Sequence, residues 1–213
     1  MTKENYKKTV IPEKVVARLP LYRRIVRNYL NDKVKVISSE ELAEAAMVNS
    51  ATVRRDFTFL GSLGVRGSGY DLEVLDRAIS QKLGVHTTWP VIIAGAGNLG
   101  RALTNSPGFN ANGFAVVGLF DIDPRVIDTM VGNLKVEDMS LLGQRVIGLI
   151  NPIGVIATPP SVAETTAHAM AEANIRSILN FTPVLLRTDK SIRVRNVDLS
   201  LELEILAFYL KHG

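Results

Sequence analysis

The chain of 213 residues contains no cysteine, which excludes disulfides, thiolate catalysis and cysteine-based zinc sites together. Histidine is nearly as scarce, with three scattered copies, so no metal site is expected. No apolar run approaches the roughly 20 residues of a membrane span. The amino end, Thr2 to Lys8, lacks the apolar core of a secretory signal, so no membrane partner and a cytoplasmic location are the expectations. What is present in quantity is apolar residue, 46% of the chain, enough to build one large core or two smaller ones.

Charge is spread unevenly. Up to residue 66 there are 13 lysines and arginines against 7 acids, and beyond it 12 against 14. A basic first segment on a nearly neutral remainder suggests a polyanionic partner for the first part alone.

The stretch Val91-Ile-Ile-Ala94-Gly95-Ala96-Gly97-Asn98-Leu99-Gly100-Arg101 is an apolar strand entering glycines spaced G-x-G-x-x-G. A second apolar run, Ala115 to Phe120, ends in Asp121, 21 positions after Gly100. Strand, glycines and acid at this spacing predict a dinucleotide site: Gly95 for the tight turn, Gly97 for close approach to the pyrophosphate, Gly100 for helix against strand. The following helix would face the phosphates with its amino end. Asp121 would take the adenosine ribose hydroxyls and repel a 2′-phosphate, favouring NAD(H) over NADP(H), with Arg125 near enough to blur that preference.

The basic segment has its own order. From Val15 to Leu30, Leu19, Tyr22, Ile25 or Val26, and Tyr29 or Leu30 recur at helical spacing, with Pro20 interrupting near the start and Arg18, Arg23, Arg24 and Arg27 forming a basic flank. Ser38-Ser39-Glu40-Glu41 then caps a short alanine-rich helix, and Met47 to Ser50 forms a tight connection. Ser50 can cap a second helix, Ala51 to Leu60, that buries Val53, Phe57 and Leu60. Two short helices across a tight turn read as a helix-turn-helix. In such a unit Thr52 and Arg55 are candidates for base edges, while Ser39, Asn49, Ser50 and Arg54 are candidates for the DNA backbone. Asp56 would repel phosphate and is expected to pair helices instead. The glycine-rich stretch Gly61 to Leu72 reads as a wing that presents Arg66 to the minor groove.

The segments Arg18-Leu-Pro-Leu-Tyr22, Ser38-Ser-Glu-Glu-Leu-Ala43, Ser50-Ala-Thr-Val-Arg-Arg-Asp56, Arg66-Gly-Ser-Gly-Tyr70 and Gly95-Ala-Gly-Asn-Leu-Gly-Arg-Ala-Leu103 occur in that order. Phe120-Asp-Ile-Asp-Pro124, Ile175-Arg-Ser-Ile-Leu-Asn-Phe-Thr-Pro183 and Val197-Asp198 follow. Together they resemble the Rex family of redox-sensing transcriptional repressors over nearly the whole chain. The resemblance implies a homodimer whose winged helix binds an inverted-repeat operator and whose Rossmann domain senses NADH against NAD⁺, with NADH releasing the DNA. It implies that Gly95, Ala96, Gly97, Asn98, Leu99, Gly100 and Asp121 bind the dinucleotide, with Thr158 and Asn180 near the nicotinamide. It also implies a switch ion pair between Arg24 and Asp198. One departure stands out: Ser106 occupies a position before Pro107-Gly108-Phe109 where many members carry tyrosine, so the nicotinamide-sensing contact is expected to come from elsewhere or to be weaker.

The expected architecture is α/β: a winged helix-turn-helix domain over 1–82, a Rossmann NAD(H)-binding domain over 83–198 and a dimerisation helix over 199–213. That last segment, Leu199 to Leu210, is apolar beyond a single stripe, as a helix buried on several sides requires, and in this family it is exchanged between subunits. The rival from another class is a small NAD-dependent dehydrogenase, which needs an acid or base near the nicotinamide. His168 lies in the crossover helix expected over Ser161 to Ala173, where a helix-face role suits it better. A coenzyme A-type Rossmann module is a third option. Neither rival accounts for the basic helix pair and wing, so no enzymatic activity is expected.

Overall fold

The computed structural model describes residues 10–61, 64–65 and 69–213, the side chains of 64 and 65 excepted. The chain divides into two compact units, one ending at His86 and the next beginning at Thr87.

The first unit opens with α1, Glu13–Asn31, whose buried stripe is Val15, Leu19, Tyr22, Ile25 and Val26. Pro20 does not interrupt it: the ring sits on the exposed side of a continuous helix, where water can serve the backbone group it leaves unpaired. Strand β1 (Val36–Ile37) leads to α2 (Ser39–Ala45), closed by a reciprocal capping box between Ser38 and Glu41. Helix α3 runs Ser50–Phe57, shorter than the apolar pattern suggested. Its cap is Asn49 and not Ser50, because the Asn49 side chain reaches the Thr52 amide at 2.7 Å. Strands β2 (Gly64–Val65) and β3 (Gly69–Asp71) form an antiparallel hairpin, and β1 pairs with the other edge of β3. This is the winged-helix sheet. Arg66, expected to be presented by the wing, lies outside the described residues. Helix α4, Leu72–Leu83, completes the unit and ends at Gly84 in the left-handed conformation.

Asp56 does pair helices. Its carboxylate, 1% exposed, accepts from Arg18 Nε at 2.6 Å, Arg18 Nη2 at 2.7 Å and the Tyr22 hydroxyl at 2.8 Å, tying α3 to α1. Arg23 and Arg27 are likewise turned inward toward Ser80 and Asp76 of α4. The expected basic flank of α1 is therefore largely neutralised by partners on other helices, and Arg24 alone of the four stays exposed without an acid beside it among the described residues. Edge-on packing of Phe57 against Tyr22 and Tyr70, with ring centres 5.5 and 5.0 Å apart, fills the space between α1, α3 and the hairpin.

The second unit is a doubly wound sheet. Strands β4 (Trp89–Ala94), β5 (Phe114–Asp121), β7 (Leu134–Asp138), β8 (Ile153–Ile156), β9 (Ser177–Asn180) and β10 (Arg193–Asn196) are all parallel. A short antiparallel strand, β6 (Met130–Val131), closes one edge. The spatial order is β10-β9-β8-β4-β5-β7-β6, which for the six parallel strands counted along the chain is the 3-2-1-4-5-6 order of a dinucleotide fold. Helices α5 (Asn98–Thr104) and α6 (Pro107–Ala111) link β4 to β5, α7 (Leu142–Arg145) precedes β8, and α8 (Ala163–Glu172) crosses from β8 to β9. Strand β4 is apolar without alternation because both faces are buried: Ile92 and Ala94 meet the core under α8, Val91 and Ile93 the core on the other face. Helix α9, Leu199–His212, is exposed along its whole length, including Leu203, Leu206, Phe208 and Tyr209.

Candidate functional site

The sheet reverses its winding between β4 and β8, and at that point the carboxyl ends of the strands open into a cavity of about 610 Å³. The glycine turn after β4 forms one wall, and the glycines divide the work as their spacing predicts. Gly95 has φ +102°, and a Cβ there would lie 2.4 Å from the Ala157 carbonyl oxygen. A Cβ on Gly100 would lie 1.8 Å from the Gly95 carbonyl oxygen, so the turn and α5 can close only on glycine. A Cβ on Gly97 would meet nothing within 4 Å. That open side is where a ligand backbone can come close. Ala96 lines the cavity, whereas Asn98 and Leu99 stand exposed at the start of α5 and are not part of its wall.

Asp121, the last residue of β5, faces the same cavity and is fixed from three sides. Its Oδ2 accepts from the Ala96 amide at 2.6 Å, and its Oδ1 from the Ile122 and Asp123 amides at 2.7 and 2.9 Å. The acid thus braces the glycine turn while holding a carboxylate at the cavity wall. Two residues on, Asp123 also lines the cavity and holds Arg125 at two points, with Nη2 to Oδ2 at 2.6 Å and Nε to Oδ1 at 2.9 Å. That guanidinium holds the Asp123 carboxyl down at about 2. Behind the turn, Arg101 Nε donates to the Ala96 carbonyl at 2.8 Å.

The opposite wall comes from the turn after β8 and the start of α8: Ala157, Thr158, Pro159, Val162, Thr165, Thr166 and Ala169. The Thr158 hydroxyl is buried there and has no hydrogen-bond partner among the described residues. An unpaired buried hydroxyl costs about 1–3 kcal/mol, and a polar ligand group in the cavity would recover it. Asn180 is different. It is fully buried outside the lining, its amide nitrogen donating to the Thr182 and Val184 carbonyls and to Asn196 Oδ1, its oxygen accepting from Thr182. The structure places it in the frame behind β9 and not at the cavity, because the turn Phe181–Val184 folds back onto its amide. His168 is exposed on α8 and does not line the cavity either. Among the lining residues there is no histidine, lysine, arginine or tyrosine.

In the first unit, Ser39, Asn49, Ser50, Thr52 and Arg54 are linked along α2 and α3. Arg54 Nη1 donates to Ser39 Oγ at 2.9 Å and Glu40 Oε1 at 2.8 Å, and Nη2 to Ser50 Oγ at 3.0 Å. This contact lowers the pKa of Glu40. Asn49 Oδ1 takes both the amide and the hydroxyl proton of Thr52, which leaves the Asn49 amide protons for another acceptor. Arg55 is exposed, and no described residue accepts from its guanidinium.

Two family models match the chain in the same order as these two surfaces: "Putative DNA-binding protein N-terminus" over residues 10–58 and "CoA binding domain" over 86–184. A redox-sensing transcriptional repressor Rex of Streptomyces griseus is 48% identical over 93% of this chain and 79% of its own length. The chain belongs to the Rex family of redox-sensing transcriptional repressors. The Rex-family repressor RSP in complex with NAD⁺ and operator DNA superposes with a TM-score of 0.88 at 35% identity, over 95% of this chain and 94% of that one. RSP in complex with NADH gives 0.85 at 33% identity, over 95% of both. The Rex likeness spans both units, whereas the coenzyme A model reaches only the second. The chain's relatives are regulators, which points to a regulator rather than an enzyme.

Asp198 caps α9 through the Ser200 amide and hydroxyl, which lowers its pKa, and Arg24 is exposed on α1. Ser106 caps α6 without a side-chain bond and does not line the cavity. Sequence reasoning missed Ile122, Val126 and Met139, the apolar lining of the Asp121 end, and the Asp123–Arg125 clamp. Asp123 was in view only as part of Phe120-Asp-Ile-Asp-Pro124. Among the described residues, no helix is long and apolar enough to cross a membrane, and no three acids or histidines converge as metal ligands.

Proposed function

We propose that this chain is a homodimeric repressor that binds inverted-repeat operator DNA through its first unit and reads the NADH/NAD⁺ ratio in the cavity of its second, NADH releasing the DNA. The observation that carries the reading is a dinucleotide-sized cavity with a glycine turn and a fixed carboxylate, lined by no residue able to act as a general base at the nicotinamide except through its carboxylates. Together with the family, whose members are repressors, this supports a sensor rather than an enzyme, acting in the cytoplasm where its DNA is.

The residues present fit the dinucleotide. Gly95, Ala96, Gly97 and Gly100 shape the turn for the pyrophosphate, with Asn98 and Leu99 at the start of α5 beside it. Asp121 takes the adenosine ribose hydroxyls, while Ile122, Val126 and Met139 give the adenine an apolar bed. Thr158 offers its unpaired hydroxyl to the nicotinamide half. Asn180 holds the β9 end in place behind that half. The nicotinamide ring supplies the redox signal, and the chain supplies only binding.

On the DNA side, Thr52 and Arg55 read base edges, while Ser39, Asn49, Ser50 and Arg54 hold phosphates. Arg66 extends the contact into the minor groove. Helix α9 is the dimer element: eight large apolar side chains at least 50% exposed would each contribute about 1.5–3 kcal/mol on burial. An apolar groove of about 350 Å³ over β8, β9 and β10 is the matching surface on a second copy. Arg24 and Asp198 form the ion pair that distinguishes the two states.

The test is retention of an inverted-repeat promoter fragment in a mobility-shift titration with NADH and with NAD⁺. The reading requires NADH to release the fragment at concentrations where NAD⁺ does not. Insensitivity to both nucleotides refutes it, and hydride transfer to a small substrate would restore the dehydrogenase.

A further inference from the structure

Two carboxylates are the only charged side chains on the cavity wall, Asp121 and Asp123, yet they are held differently. Asp121 is bonded by backbone amides alone, whereas Asp123 is chelated by a side chain. That side chain, Arg125, is the sole cation between Asp121 and Met130, and it is 87% exposed. A guanidinium at the end of the second parallel strand is the group a 2′-phosphate would bind, since its planar fork matches phosphate oxygens at two points. Here the fork is already filled. Asp123 Oδ1 accepts from the Arg125 amide at 2.9 Å as well as from Nε, so main chain and side chain fold around one carboxylate.

We propose that Asp123 makes this cavity selective for NADH over its 2′-phosphorylated counterpart by holding Arg125 in a two-point ion pair, which keeps the one cation of this loop from serving a phosphate. The inference rests on the dinucleotide reading above and deepens it. Asp121 alone repels a 2′-phosphate, but an unbound Arg125 beside it would offset that repulsion. With Arg125 occupied, the incoming phosphate meets two carboxylates and no available cation. Discrimination therefore depends on a residue that need not touch NADH at all. The low pKa of Asp123 agrees with a clamp that stays ionised throughout the neutral range.

The experiment measures dissociation constants of NADH and NADPH by calorimetry on the full chain and three variants: Asp123→Asn, Arg125→Ala and the pair together. The clamp is local and exposed, so the variants are expected to fold, and a thermal melt of each checks it. Asp123→Asn should move the NADPH-to-NADH affinity ratio at least about tenfold toward NADPH. Adding Arg125→Ala should remove most of that movement, leaving only the smaller part that relief of the Asp123 charge gives, and Arg125→Ala alone should not move the ratio toward NADPH. A ratio unmoved by Asp123→Asn, or a shift undiminished by loss of Arg125, overturns the proposal while NADH binding stands. Failure of the unaltered protein to bind NADH overturns the dinucleotide reading and this proposal with it.

Discussion

Gly97→Val separates binding from folding. Gly97 has φ −72°, a backbone conformation open to any residue, and a Cβ there would find no atom within 4 Å. The substitution therefore fills empty cavity instead of displacing protein, and stability should change by about 0.5 kcal/mol or less. The γ-methyls project roughly 2.5 Å beyond Cα, into the space through which the pyrophosphate approaches the turn. Forcing the phosphates outward by about 1 Å costs roughly a hundredfold in affinity, or about 2.7 kcal/mol. Gly100→Ala should behave oppositely, since its Cβ would lie 1.8 Å from a carbonyl oxygen and must break the turn itself. The assay is a thermal melt of each variant beside NADH titration and operator mobility shift. Gly97→Val should melt with the parent, bind operator, and fail to be released by NADH. Native NADH affinity in Gly97→Val, or loss of its fold, would refute the account of the turn.

Arg55→Ala should weaken operator binding by about 1–3 kcal/mol and leave NADH affinity intact; equal loss of both would make Arg55 a structural residue. Glu40→Gln removes the acid that competes with phosphate for Arg54, so operator affinity should rise and the slope of log affinity against log salt should steepen; unchanged binding would place Arg54 off the DNA. Leu203→Glu with Phe208→Glu should leave a monomer by light scattering if α9 is the dimer element, and an unchanged dimer would exclude it. The Asp123–Arg125 pair depends on an Asp123 pKa lowered from 3.8 to about 2, so it is intact above the ordinary value and weakens only as pH falls toward 2. The NADPH-to-NADH ratio should accordingly be flat between about pH 5.5 and 8 on Asp123's account, and a change there would implicate another group.

Much of this was readable from the chain because local rules and tertiary packing agree. The Ser38–Glu41 capping box, the double-sided apolar strand Val91–Ala94 and the glycine spacing each follow from short-range geometry that no distant residue overrides. The failures occur where a long-range partner decides. Arg18, Arg23 and Arg27 read as a basic flank until Asp56 and Asp76, dozens of positions away, draw them in. Asn180 ends a strand as a ligand residue would, but the folded-back turn after it consumes its amide. Asn49 displaces Ser50 as the cap by one residue, a choice between two good capping residues that pattern alone does not make. Pro20 survives inside α1 because its position faces solvent, and facing is a property of the assembled unit. For the cavity, the glycines and Asp121 were visible as a spacing, whereas the apolar bed of Ile122, Val126 and Met139 comes from two separate segments, the loop after β5 and the turn after β7.

NADH binding and operator binding are coupled in this repressor reading, and coupling is reciprocal. If NADH weakens operator affinity by some factor, operator DNA must weaken NADH affinity by the same factor. The decisive measurement is the NADH dissociation constant determined by calorimetry on the free protein and on its operator complex. NADH should bind more weakly in the complex, by the factor by which NADH lowers operator affinity in the same buffer. Identical NADH affinity with and without operator would contradict it.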